Sequence, residues 1–134
     1  MASDTIEEAV SVILLASSTV TDYVVDRIYW MKAPADTTDV PYITFDTISR
    51  GNIPQELGKY GSQARTQISI WDKSKHNGQL LAQAVVELFD QRTTDMDGFD
   101  IMFGTTTGPI QLIDPDSDHL YQFVVDVILD FNRR

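Results

Sequence analysis

The sequence predicts an α+β fold, with two main helices packed on one face of a mainly antiparallel β-sheet. Two stretches place apolar residues three and four apart, as a helix with one buried stripe requires: Ile6, Val10, Ile13 and Leu14, then Leu80, Leu81, Ala84, Val85, Leu88 and Phe89. A third stretch alternates strictly through Tyr121, Phe123, Val125, Val127, Leu129 and Phe131, the period of a strand with one buried face. With 134 residues, 43% of them hydrophobic, the chain is expected to build one core and to form a single domain over 1–134.

Taken in order, the first helix starts at Ser3 or Asp4 as N-cap, with Glu7 placed three residues after Asp4 as the capping-box partner. Ser17, Ser18 and Thr19 end it, and a short amphipathic turn is expected over 22–26, leading into Arg27, Ile28, Tyr29 and Trp30. Residues 32–39 read as a polar loop containing Pro34. Pro41 then opens a strand over 42–48, rich in β-branched and aromatic residues. Residues 51–61 hold three glycines and Pro54, which predicts a long connection to a strand over 64–71. In that strand Ile68 and Ile70 alternate with Gln67 and Ser69, the pattern of a half-buried antiparallel strand.

Ser74 is the expected N-cap of the second main helix. Asp95 to Gly98 supplies turn chemistry. Two short strands are expected over 99–103 and 110–113, joined through Thr105, Thr106, Thr107 and Gly108. A turn at 114–118 precedes the last strand, over 120–131. There is no internal repeat.

Twenty Asp and Glu against ten Lys and Arg give a formal net charge of −10. Basic residues do not cluster apart from Arg133 and Arg134, so sequence-specific binding of nucleic acid is not expected. No apolar run approaches the roughly 20 residues needed to span a bilayer, and the acidic amino-terminal stretch lacks the positive region of a secretory signal; no membrane partner is expected, and the chain is expected in the cytosol. The absence of cysteine excludes disulfides and thiolate metal sites.

Chemistry-bearing patterns are sparse. His76 opens the second main helix and His119 sits at a turn, neither with a partner at a metal-ligand spacing. Asp114, Asp116 and Asp118 begin like a calcium loop, but His119 stands where the loop needs glycine and Val125 where it needs glutamate. Trp30 and Trp71 are expected at the edge of the core. No nucleophile motif or phosphate-binding loop occurs. The expectation is a protein with no catalytic residues, no metal and no cofactor, hence not an enzyme.

Read in order, the amino-terminal helix, Arg27-Ile28-Tyr29, the Pro-bearing loop, the strand Pro41-Tyr42-Ile43-Thr44-Phe45, the strand Gln67-Ile68-Ser69-Ile70-Trp71, a Leu/Ala/Val helix and a long closing strand resemble the tail-completion, or tail-terminator, proteins of long-tailed bacteriophages. The resemblance implies an α+β virion subunit, assembled in the bacterial cytoplasm into a ring, commonly of six, at the head-proximal end of the tail tube. Its implied partners are further copies of itself, the tube protein and the head connector or head-completion protein. The polar loops then supply candidate contact residues: Lys32, Asp36, Asp39, Arg50, Asn52, Gln55, Glu56, Lys59 and Tyr60. Two alternatives stay open, a head-completion or neck subunit and a small ligand- or metal-binding protein with its foothold at Asp114, Asp116 and Asp118.

Overall fold

The computed structural model describes residues 5–30, 41–54, 60–91, 99–113 and 121–133. Their order is α1 (Ile6–Ala16), α2 (Ser18–Val24), β1 (Ile28–Trp30), β2 (Tyr42–Pro54), β3 (Tyr60–Asp72), α3 (Lys75–Phe89), β4 (Phe99–Ile113) and β5 (Tyr121–Arg133). The sheet runs β1-β2-β3-β5-β4; β1 lies parallel to β2, and every other pair is antiparallel. The expected α+β arrangement is therefore present, with the helices gathered on one face.

Register explains that face. Ile43, Ile70 and Phe123 lie side by side, as do Phe45, Ile68 and Val125, and these rows are buried under Val10, Leu14, Leu81, Val85 and Phe89. The alternation of β5 was readable as it stands: Phe123, Val125, Val127, Leu129 and Phe131 are all buried.

Local hydrogen bonds fix the helix ends. Thr5, rather than Ser3 or Asp4, is the N-cap of α1, its side chain accepting from the Glu8 amide at 3.2 Å. Ser17 ends α1 and caps α2 at once, because its N–H donates to Leu14 while its hydroxyl accepts from the Val20 amide. The expected turn over 22–26 is instead the end of a true helix, α2, that starts at Ser18. Arg27 then ties α2 to the sheet, donating to the Tyr23 and Pro41 carbonyls at 3.2 and 3.0 Å.

Ser74 caps α3 as expected, accepting from the Asn77 amide, and Asp72 accepts from the Ser74 amide. The buried face of α3 is turned from the expected one. Gly78, Leu81, Ala82, Val85 and Phe89 point inward, whereas Leu80 is exposed and Ala84 and Leu88 are only partly covered. Gly78 is the cause: a Cβ there would stand 2.6 Å from the Phe123 ring, so a bare backbone lets the helix descend onto β5.

Two expected connections are strand instead. Residues 51–61 are mostly strand: β2 and β3 stay paired out to Pro54 and Tyr60, leaving only 55–59 between them. A bulge between Thr47 and Ser49 absorbs the irregularity, and paired backbone tolerates Gly51 and Gly61 in strand. Likewise 99–113 is one strand, not two joined through Thr105–Gly108. The threonines favour extended backbone, and Gly108, at φ +111°, is taken up as a register shift against β5 rather than as a turn.

Candidate interaction surfaces

The face of the sheet opposite the helices is polar, with an aromatic end. Tyr29, Tyr42 and Trp71 form a line, Tyr42 stacked on Trp71 at 6.1 Å and edge-on to Tyr29 at 6.2 Å. The Trp71 indole donates to the Thr44 hydroxyl at 3.1 Å, and Gln122 donates to the Ser69 hydroxyl at 3.1 Å. These long side chains lie over two short ones, which is why Thr44 and Ser69 are buried on a face no helix covers. Asp46 and Gln67 complete a shallow depression of about 210 Å³. Burial, and secondarily the neighbouring Tyr29, raise the pKa of Tyr42 above its ordinary value of 10.0.

Further along, Arg65 pairs with Asp126 at 2.8 Å, and Gln63 donates to Asp130 at 2.9 Å. Gln63 and Asp130 face each other directly across the ladder, whereas Arg65 reaches diagonally past its own partner Ile128, so two carboxylates of this acidic face are held by partners of their own sheet.

The sheet has two outer edges. At β1, a groove of about 230 Å³ opens between α1 and the sheet, lined by Glu7, Glu8, Ser11, Ile28, Trp30 and Phe45. Trp30, expected at the edge of the core, instead presents 56% of its surface. Its register partner is Phe45, so it lies on the helix-covered face but beyond the helices' reach. At the other edge, the Asp90 carboxylate at the end of α3 accepts from both the amide and the hydroxyl of Thr106 in β4. Past Gly108 and Pro109 on this strand, Ile110 is 53% exposed.

Three of the nine expected contact residues lie in the described strands. Arg50 and Asn52 belong to β2 and Tyr60 begins β3, while Lys32, Asp36, Asp39, Gln55, Glu56 and Lys59 lie outside the described residues. So do Asp114, Asp116, Asp118 and His119; His76 is exposed at the start of α3. Among the described residues no group of three or more His, Cys, Asp or Glu converges where a metal ion could sit, and no helix is long and apolar enough to cross a membrane.

The fold recurs in a solved structure described as the virion of a native gene transfer agent particle. One chain of that particle superposes with a TM-score of 0.74 over 93% of this chain and 92% of its own length, at 11% sequence identity. No family model and no curated protein matches the sequence. The likeness is one of architecture alone.

The groove beside Trp30 and the edge at Ile110 were missed in the sequence for different reasons. A tryptophan closing a three-residue strand was a signal, but its exposure depends on how far α1 reaches. Ile110 looked like an ordinary strand residue, and only the strand order makes β4 an edge.

Proposed function

We propose that the chain is a structural subunit of a phage-type virion, forming a ring that caps the head-proximal end of a tail tube and presents a surface for head joining. The observation that carries this reading is the match over nearly the whole of both chains to a component of a gene transfer agent virion, a phage-like particle. A match extending over 92% of the other chain leaves little of it unaccounted for, so the shared unit is the subunit itself and not a common insert. The segment order that resembles tail-terminator proteins supports the same role from the sequence side.

The molecule suits assembly. Its two sheet edges differ, as a ring subunit's two contacting surfaces must. The formal charge of −10 suits a lumen through which DNA passes without being held, because phosphates meet like charge.

Electron microscopy of particles made without the protein tests the proposal. Tail tubes of abnormal length that fail to join heads are the expected result. Tubes of normal length lying free beside leaking heads would move the subunit to the neck, and fully normal particles would sink both placements.

A further inference from the structure

The two sheet edges carry complementary apolar features. The β1 edge has a groove with the Trp30 indole open on one wall and Glu7 and Glu8 on another. The β4 edge has Ile110 standing 53% exposed just past a register shift. Four strand spacings separate these edges, about 19 Å, so Ile110 cannot enter the groove of its own chain.

Charge makes β4 the suitable occupant. Between Asp100 and Asp114 no residue is ionisable, in a chain whose formal charge is −10. Edge strands commonly carry charge to keep other molecules away, and this one carries none beyond Asp100 at its start. It is blocked against strand addition by other means: Asp90 occupies the Thr106 amide, and Pro109 has no amide hydrogen to offer. The edge therefore discourages ladder pairing while still offering an apolar side chain. An uncharged edge can also approach Glu7 and Glu8 without like-charge repulsion, which most of this acidic surface cannot do.

We propose that Ile110 of one copy seats against Trp30 in the β1-edge groove of the next copy. The contacting surfaces differ, so the contact is heterologous, and its repetition closes a ring or runs on as a filament. The inference deepens the ring reading above and rests on it for closure; the contact itself involves only two copies. Aromatic anchors in a groove dominate interfaces of this kind, which places the binding energy at Trp30.

The chain has no cysteine, so introduced thiols report without background. Ser11→Cys marks the groove and Thr107→Cys marks the β4 edge, leaving Trp30 and Ile110 in place. The two single variants are mixed and treated with a short bis-maleimide. Cross-linked heterodimer at least about tenfold above either homodimer is expected, since tenfold corresponds to a modest 1.4 kcal/mol preference. Adding Ile110→Ser to the Thr107→Cys chain should return the yield to the homodimer level, with an unchanged circular dichroism spectrum showing that the chain still folds. Equal yields of all dimers, or a heterodimer insensitive to Ile110→Ser, would overturn the contact. Light scattering of the unmodified chain separates the two ideas: a ring without the heterodimer removes this contact and keeps the ring, whereas a heterodimer from a chain absent from virions keeps the contact and removes the role.

Discussion

The Asp90 carboxylate accepts the Thr106 amide at 3.3 Å and the Thr106 hydroxyl at 3.0 Å, tying the residue that ends α3 to the middle of the edge strand β4. An edge strand's outward amide is an invitation to another strand, and here a carboxylate of the same chain answers it. Asp90→Ala should lower stability by about 1 kcal/mol, the ordinary net worth of such bonds at an exposed site. It should also raise the hydrogen-exchange rate of the Thr106 amide and increase association at high concentration. Asp90→Asn keeps one acceptor oxygen and should fall between the two. Urea melts with amide exchange at Thr106 check this; equal exchange in all three chains would mean the carboxylate guards nothing.

Gly78 is the first residue of α3's buried stripe and lies against the Phe123 ring. On helix propensity alone, Gly78→Ala should stabilise the chain by about 1 kcal/mol. The added Cβ would meet the ring at 2.6 and 3.0 Å, and Phe123, only 3% exposed, has nowhere open to turn. Overpacking of this kind costs about 1–3 kcal/mol, so the net change should be destabilising. A thermal melt showing a higher Tm for the alanine variant would contradict the close approach.

These packing details mark where the sequence stops being readable. The period of β5 needs only its own residues, because both neighbours of a central strand press it onto the core: five of the six expected inward residues are buried and Tyr121 is partly covered. Ser74 likewise caps from local chemistry. The face of α3 was misjudged because a glycine adds nothing to an apolar count, yet it decides which side can come close. The β2–β3 connection was drawn too long because glycine and proline suggest turns, whereas a partner strand can hold them extended. The interaction surfaces were least legible: Trp30 lies apart from Ile110 by the full width of the sheet, and only strand order reveals that both are edges.

Thr66 is fully buried, and its hydroxyl has no hydrogen-bond partner among the described residues; Thr47, directly opposite on β2, has a buried hydroxyl in the same state. A buried hydroxyl without a partner costs about 1–3 kcal/mol relative to water. Thr66→Val keeps the branched shape and replaces the hydroxyl by a methyl beside Val127, its neighbour on β5. Stability should rise by about 1 kcal/mol, or about 4 °C in Tm. A fall in Tm would show that the hydroxyl finds a partner, such as a bound water.

Tyr42 supplies a pH dependence of definite sign. Burial and the neighbouring Tyr29 raise its pKa, so the folded chain holds the phenol proton more tightly than the unfolded one. Above pH 10.0 the unfolded state loses that proton first and is stabilised by doing so. The contribution is therefore complete below pH 10.0 and is lost as the pH rises through the folded-state pKa. Denaturant melts between pH 8 and pH 11 should show stability falling at the alkaline end, and Tyr42→Phe should make that fall shallower. The same substitution should leave Trp71 stacked, because the ring and not the hydroxyl makes that contact. An alkaline fall of equal steepness in both chains would assign it to other groups and return Tyr42 to an ordinary, solvated phenol.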